Sequence, residues 1–250
     1  MSREVIQTVG LSKVYGADTA LEALDWSVPI GSIVGVLGPN GAGKSTLSKL
    51  LAGITRATSG SARVLGTDVA ADPRSIRRRV AFVPEDKLLY DEMKVETFLG
   101  FYGSYFPTWD AKAARAILQA WGIPEARRIR ELSKGNRAKL VLGASLCRRP
   151  EVLLLDEPTV DLDPASVEEI LALLGQWTSD GDRAVVVNTH RVDEVERICD
   201  TILILNAGRR LATCNLDDMR DAWKRLRVAG SISNQEVQVI AYMVMKNYRA

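Results

Sequence analysis

The chain has few of the features that would point to an unusual class of protein. It has three cysteines, an odd number without CxxC spacing, so neither a disulfide framework nor a cysteine zinc site is indicated. We expect these thiols to be buried in a reducing compartment. No apolar run reaches the length of about 18 residues that spans a bilayer, and the N-terminal MSREVIQTVG lacks an apolar signal region. We therefore expect any work at a membrane to depend on a second protein.

An excess of charge of one sign is also absent. The chain has 33 basic and 31 acidic residues, for a net charge of +2, and a single histidine. This balance argues against a nucleic-acid partner or an anionic membrane surface. At 250 residues and 46% hydrophobic composition, the chain can bury a substantial core without disulfides. The length favours one domain, with room for an inserted lobe.

The most informative stretch is GPNGAGKST, which directly follows the apolar run Ile33–Leu37. It matches the pattern G-x-x-x-x-G-K-[ST], in which glycines let successive backbone N–H groups surround phosphate oxygens. The helix that follows presents its positive N-terminal end to the anion. Lys44 is predicted to reach the β- and γ-phosphates, and the Ser45 hydroxyl to reach Mg²⁺. The predicted phosphate-binding residues are Gly38, Pro39, Asn40, Gly41, Ala42, Gly43, Lys44, Ser45 and Thr46.

Short apolar runs alternate with helical patterns along much of the chain. Such runs are typical of parallel strands covered on both faces, so we predict an α/β fold with phosphate chemistry at the carboxyl ends of the strands. The predicted strands are Val5–Val9, Ala23–Val28, Ile33–Leu37, Ser61–Leu65, Val80–Val83, Glu151–Asp156, Ala184–Asn188 and Thr201–Leu205. The predicted helices in this part are Lys44–Leu51, Ala165–Gln176 and Val192–Cys199.

The middle of the chain differs, because residues 85–150 contain no strand-like run. Asp110–Trp121 and Arg137–Cys147 favour helix. We therefore predict a single domain with a core over 1–84 and 151–215, a helical lobe over 85–150 and a C-terminal tail over 216–250. In the tail we predict an amphipathic helix over Asp217–Arg227 and a strand over Glu236–Met245.

Two acids end the buried run VLLLDE. Asp156 is placed to hold Mg²⁺ if its strand ends beside the phosphate loop. Glu157 is placed to accept a proton from an attacking water or to orient it. Acids are also common where an ordinary strand meets a loop. The presence of Lys44 in the same chain favours the functional interpretation.

Two further segments have an ordinary and a functional interpretation. Ser133 is a good helix cap and Gly135 exposes backbone N–H groups, which alone indicates only a helix start. His190, the single histidine, follows a predicted strand in NTHRVDEVE. A lone histidine there is usually structural, but the strand order places it near the phosphates, so we predict a γ-phosphate contact.

The motifs GPNGAGKST, LSKGN, LLLDEP, VDLDP and NTH, in this order, resemble those of the ATPase subunits of ABC transporters. The resemblance covers about Val5–Ala212. The short distance from Lys44 to Asp156 leaves no room for the coiled coil of chromosome-maintenance relatives. A single set of motifs argues against tandem-cassette translation factors. The resemblance implies a P-loop NTPase core, with a mostly parallel sheet, an N-terminal antiparallel β part and an inserted helical lobe.

The resemblance also implies that two cassettes enclose two ATP molecules. Ser133 and Gly135 of one chain would then close on the γ-phosphate held by the other chain, and Asp163 would lie in the loop that faces the dimer. The phosphate loop would bind ATP within its own chain. Tyr15 matches the aromatic residue that stacks on adenine, and Glu85 occupies the place of a glutamine near Mg²⁺.

Asp156 would serve Mg²⁺, Glu157 catalysis and His190 the γ-phosphate. The resemblance gives ATP and Mg²⁺ as cofactors, and a transmembrane permease subunit and a second cassette as partners. Besides Glu85, the departures from the family pattern are Lys134 and Asp161 in place of glycine and Asn136 in place of glutamine.

The segments PED, SKGN and FPTWD are similar to those of export-type members. We therefore expect an ATP-hydrolysing subunit of a membrane exporter, held on the inner face of the cell membrane by its permease. A soluble assembly ATPase of the same family, for example in iron–sulfur cluster assembly, is the alternative, and a poorly hydrolysing regulatory module a third. The predicted lobe is rich in aromatic residues, which form either its core or a groove for a permease helix. They are Tyr90, Phe98, Phe101, Tyr102, Tyr105, Phe106 and Trp109.

Overall fold

The computed structural model describes residues 3–87 and 89–218 and contains two sheets and a group of helices. The strands are β1 (Glu4–Tyr15), β2 (Asp18–Pro29), β3 (Ile33–Leu37), β4 (Ser59–Val64), β5 (Thr67–Asp68), β6 (Val80–Val83), β7 (Val152–Asp156), β8 (Ala184–Thr189), β9 (Thr201–Asn206) and β10 (Arg209–Asn215). The helices are α1 (Lys44–Leu51), α2 (Pro73–Arg79), α3 (Val95–Gly103), α4 (Ala111–Ala120), α5 (Lys134–Cys147), α6 (Pro164–Thr178) and α7 (Val192–Ile198), with a 3₁₀ turn at Ile129–Glu131.

The larger sheet has the strand order β10-β9-β3-β8-β7-β6, and all its pairs are parallel except β10 with β9. Every residue of β3, β7 and β8 is buried, because the helices cover both faces of the sheet. The predicted α/β class is confirmed. Parallel pairing brings the carboxyl ends of β3, β7 and β8 to one edge, where Leu37, Asp156 and Thr189 end their strands.

The smaller sheet is antiparallel, with the order β2-β1-β4-β5. Its inner face packs on α1 and the larger sheet through an apolar core that includes Ile6, Leu21 and Leu47. This sheet is the expected N-terminal antiparallel part. β1 and β2 are 12 residues each, longer than predicted, because register shifts let the pair continue past Val9.

Helices α3, α4 and α5 lie between β6 and β7 and share an apolar core built around Val95, Leu118 and Leu140.

Sequence reasoning missed α2, β5 and β10 and did not delimit α3. Helix α2 (PRSIRRR) buries only Ile76, so its sequence shows no repeat of apolar residues at helical spacing. Its start does carry two helix signals, since Asp72 caps it and Pro73 is its first residue. Of the tail predictions, all but the first residues, 216–218, lie outside the described residues.

The three cysteines are free thiols. Cys147 and Cys199 are buried, as expected, whereas Cys214 on β10 is only half-buried. Burial raises the pKa of the Cys147 thiol to about 12, so this thiol stays protonated and unreactive.

In the part of the chain that the structure describes, no helix has both the length and the apolar composition to cross a membrane.

Candidate functional site

A cavity of about 440 Å³ opens at the edge where β3 and β7 end. It brings the predicted phosphate loop together with an aromatic residue from β1 and with Glu85 from the segment after β6. Asp156 at the end of β7 and Glu157 directly after it complete the lining. The residues that line it are Tyr15, Ala20, Asn40, Gly41, Ala42, Gly43, Lys44, Ser45, Thr46, Glu85, Asp156 and Glu157.

The shape of the loop depends on glycine at two positions. Gly43 has a φ of 100°, and a Cβ there would clash with the Ala20 carbonyl oxygen. A Cβ at Gly38 would clash with the carbonyl oxygen of Leu205. Only glycine fits such close backbone approaches, so these two positions fix the path of the loop beside the cavity.

Lys44 holds the loop from inside. Its side chain is 6% exposed, and its Nζ donates hydrogen bonds to the carbonyl oxygens of Gly38 at 2.8 Å and Pro39 at 3.3 Å. The same Nζ lies 3.7 Å from Glu157 Oε1. The buried ammonium of Lys44 thus lies between the loop and the Glu157 carboxylate. A phosphate in the cavity would be attracted to this positive charge at short range.

Asp156 and Glu157 are both buried, and Asn188 at the end of β8 ties them together. Asn188 Nδ2 donates to Asp156 Oδ1 at 3.2 Å and to Ser48 Oγ at 2.9 Å. The Asn188 carbonyl accepts the N–H of Glu157 at 2.9 Å. Glu157 has a φ of 44°, which disfavours a side-chain-bearing residue, so this hydrogen bond helps to hold a strained backbone.

Sequence reasoning missed the positioning role of Asn188. A signal was present, because Asn188 is a polar residue at the end of the apolar run AVVV, and such a residue is fully buried only when it has partners.

His190 contacts the same carboxylate from the solvent side. Its Nδ1 lies 2.9 Å from Glu157 Oε1, and its side chain is 39% exposed. Glu157 therefore lies between an ammonium and an imidazole. This arrangement orients the carboxylate. His190 itself is not among the described residues that line the cavity.

Ser133, Gly135 and Asp163 form a second cluster and are not among the described residues that line the cavity. Ser133 caps α5 by accepting the Asn136 N–H at 3.1 Å. Asp163 caps α6 and accepts hydrogen bonds from the N–H and the hydroxyl of Ser166 at 2.9 and 2.7 Å. These bonds lower the pKa of Asp163, so its carboxyl stays ionised. A Cβ at Gly135 would approach Ser166 Oγ to 3.0 Å, which shows how closely the two helix starts pack.

Known proteins with similar sequences indicate the family to which this site belongs. A family model described as "ABC transporter" matches residues 21–160. The daunorubicin/doxorubicin resistance ATP-binding protein DrrA of Streptomyces peucetius is 33% identical, over 93% of this chain and 73% of that protein. The Nod factor export ATP-binding protein I of Rhizobium sp. (strain N33) is 35% identical, over 85% of this chain and 71% of that protein. The chain belongs to the ABC transporter family.

A solved structure described as the ATP-binding subunit of an ABC transporter superposes on this ABC protein with a TM-score of 0.81. It is 27% identical and covers 97% of this chain and 99% of the other. The family and the fold predicted from the motifs are confirmed. This ABC protein is an ATP-binding subunit, and ATP hydrolysis is the activity of its family.

The donor set of the ABC protein fits Mg²⁺ bound together with ATP. Ser45, Glu85 and Asp156 line the cavity and carry side-chain oxygens, and Mg²⁺ prefers one or two carboxylates with phosphate oxygens and water. Within residues 3–87 and 89–218 no cluster of three or more acidic, histidine or cysteine side chains forms a complete metal site. When bound, the ion would neutralise charge on the phosphates.

Glu194, on α7, is buried and was not predicted to matter. It accepts the Thr159 hydroxyl at 2.5 Å, and its other oxygen lies 2.8 Å from an Arg191 guanidinium nitrogen. The carboxylate thus joins the loop after Glu157 to the segment after His190. Burial raises the pKa of Glu194, and the attraction of Arg191 only partly offsets this.

We expect Glu194→Gln to change how stability depends on pH. A raised pKa means that the folded protein binds more protons than the unfolded chain, so stability falls as pH rises from the ordinary glutamate value of 4.5 through the folded pKa. In the variant this carboxyl is absent, so its contribution to the decrease of stability with pH disappears. The melting temperature of the variant minus that of the parent should therefore increase between about pH 4.5 and 7.5. Calorimetry tests this, and a difference that stays constant or decreases with pH would contradict it.

Proposed function

We propose that this ABC protein powers a membrane exporter by forming an ATP-dependent dimer of cassettes. The observation that carries the proposal is the buried Lys44–Glu157 pair beside the phosphate loop, with His190 against the same carboxylate. Two similar proteins are named for drug resistance and for Nod factor export, which supports export as the kind of transport. The comparisons name transporter subunits, so they do not favour a soluble assembly ATPase.

Within one chain, the loop and Lys44 bind the phosphates, and the exposed ring of Tyr15 on the cavity stacks on adenine. Mg²⁺ is held by Ser45 and Asp156, with Glu85 close by. Glu157 accepts a proton from the attacking water. His190 holds the carboxylate of Glu157 on one side and contacts the γ-phosphate on the other.

Between two chains, the second cluster completes the site. Ser133 and Gly135 bind the γ-phosphate of the partner's ATP, and Asp163 lies at the interface. Ser133 and Asp163 cap α5 and α6, whose starts pack closely at Gly135, so the three residues can meet one partner together. We assign 1–84 and 151–215 to the core, which carries Asp163, and 85–150 to a lobe, which carries Ser133 and Gly135.

The aromatic residues of the lobe divide into an inner and an outer set. Phe98 is buried and Tyr102 packs beside it, which matches the core interpretation. Tyr90, Phe101 and Tyr105 are 57%, 40% and 65% exposed and meet edge to face, with ring centroids 5.7 and 5.2 Å apart. They border a cavity of about 440 Å³. We propose that this aromatic groove receives a short helix of the permease, which places the ABC protein on the inner face of the membrane.

A charge in the groove should break this contact. We expect Tyr105→Glu, and separately Leu89→Glu, to release the protein from membranes while ATP binding is retained, because an unpaired carboxylate cannot enter an apolar interface. Co-sedimentation with membranes measures the effect. Val9→Glu is the matched control, since Val9 is 66% exposed on β1. Retention of both groove variants on the membrane would place the contact elsewhere.

The test of the exporter itself is recovery of the tagged protein from native membranes in mild detergent, followed by mass spectrometry. A multi-spanning protein in near-stoichiometric amount is the expected result and would identify the permease. Recovery of soluble partners alone, with the protein absent from membranes, would contradict the proposal.

A further inference from the structure

Two of the departures from the family pattern meet in the fold. Lys134 replaces a glycine in the LSKGN segment and Asp161 replaces a glycine in VDLDP. They are 27 positions apart, yet Lys134 Nζ lies 2.9 Å from Asp161 Oδ2. The pair joins the start of α5 to the loop before α6, beside Ser133, Gly135 and Asp163.

Neither residue is there for local stability. Lys134 is the first residue of α5, where a positive charge opposes the helix dipole, and no acidic residue lies in that first turn. Asp161 has a φ of 60°, a conformation that favours glycine. Their side chains are 77% and 66% exposed, and exposed ion pairs contribute little. Lys134 thus carries an electrostatic cost and Asp161 a conformational one, and an exposed ion pair offsets little of either.

The position of Lys134 suggests what the charge does. It lies between Ser133 and Gly135, the two residues that our proposed function brings onto the partner's γ-phosphate. The Lys134 side chain is long and exposed. Its ammonium can therefore reach an anion that is bound by Ser133 and the backbone at the start of α5. Its contact with Asp161 is exposed to water and so breaks easily. Lys87 also lies within electrostatic range of Asp161, so a positive charge remains near this carboxylate when Lys134 leaves.

We infer that Lys134 is a further phosphate-binding residue, which Asp161 holds in the separate chain and which moves to the γ-phosphate of ATP bound by a second copy. The inference rests on the proposed function, because it requires the dimer with ATP between its chains. Asp161 then acts as a competitor of the phosphate for the same ammonium. The pair makes closure depend on a triphosphate, since a diphosphate offers no anion at that place.

The test measures the dimer dissociation constant by analytical ultracentrifugation with saturating Mg-ATP, in the Glu157→Gln variant so that ATP persists. Adding Lys134→Gln should raise this constant at least about tenfold, because a hydrogen bond between charged groups is lost at each of two equivalent sites. Adding Asp161→Asn should lower it severalfold, because the lysine is released, and asparagine tolerates the same backbone conformation. With Lys134→Gln already present, Asp161→Asn should change nothing.

Lys112→Gln is the matched control, because Lys112 is also an exposed lysine in the first turn of a lobe helix, α4, and should leave the constant unaltered. The charge-reversed pair Lys134→Asp with Asp161→Lys restores an ion pair but places an acid beside the phosphate, so it should abolish the dimer. If the charge-reversed double variant dimerises as tightly as the parent, the inference is wrong. It is also wrong if Lys134→Gln leaves the dimer dissociation constant unchanged. Failure of Glu157→Gln itself to dimerise with Mg-ATP would overturn the proposed dimer, which is a separate result.

Discussion

Glu157→Gln is expected to lower kcat for ATP hydrolysis about 10²–10⁴-fold while ATP binding persists. Glutamine keeps the shape of the side chain between Lys44 and His190 but cannot accept the proton of the attacking water. Loss of such a base raises the barrier by about 3–5 kcal/mol. Because hydrolysis is what reopens the proposed dimer, the variant with Mg-ATP should accumulate as a dimer on gel filtration.

The matched control is Glu169→Gln on α6, which removes another acid that pairs with a buried lysine, Lys139, at 2.7 Å. It should leave kcat within a few-fold of the parent, since the Glu169 carboxylate is not among the described groups lining the cavity. Hydrolysis by Glu157→Gln at the parent rate would remove Glu157 from the role of base. Loss of nucleotide binding in that variant would instead show that the carboxylate mainly holds Lys44.

Sequence reasoning predicted most of the strands, the phosphate loop and the acids Asp156 and Glu157 because each is encoded by neighbouring residues. An apolar run such as Ile33–Leu37 is sufficient to predict a buried strand, and parallel pairing then fixes which edge holds Asp156. The residues it missed act through contacts between distant parts of the chain. Asn188 reaches Ser48, 140 positions away, and no local pattern reveals that hydrogen bond.

Charge pairs show the same limit. The contact of Lys134 with Asp161 spans 27 positions and depends on how α5 and the loop before α6 pack. Each residue stands out in the sequence as a departure from glycine, but only the fold shows that they meet. The left-handed φ of Glu157 is similar, since neither propensity nor spacing predicts strain at a glutamate.

Lys44→Ala is expected to weaken ATP binding about 100-fold or more. The ammonium is buried and would contact two phosphates, and each hydrogen bond between charged groups contributes about 1.5–3 kcal/mol. The dissociation constant for ATP, from titration with a fluorescent nucleotide, measures the loss. Lys49→Ala is the control, because Lys49 is an exposed lysine on the same helix and should leave the constant unchanged. Unchanged affinity in Lys44→Ala would contradict the phosphate role.

The same substitution separates binding from stability. Lys44 lies 3.7 Å from Glu157, so its removal takes a positive charge away from a buried carboxylate and should lower the melting temperature. In the Glu157→Gln background the charge of Glu157 is already gone, so the loss of stability should become smaller. The loss of ATP affinity should persist there, because the phosphates still lack their cation. A double variant whose ATP affinity returns with its stability would show instead that Lys44 serves the loop and not the phosphates.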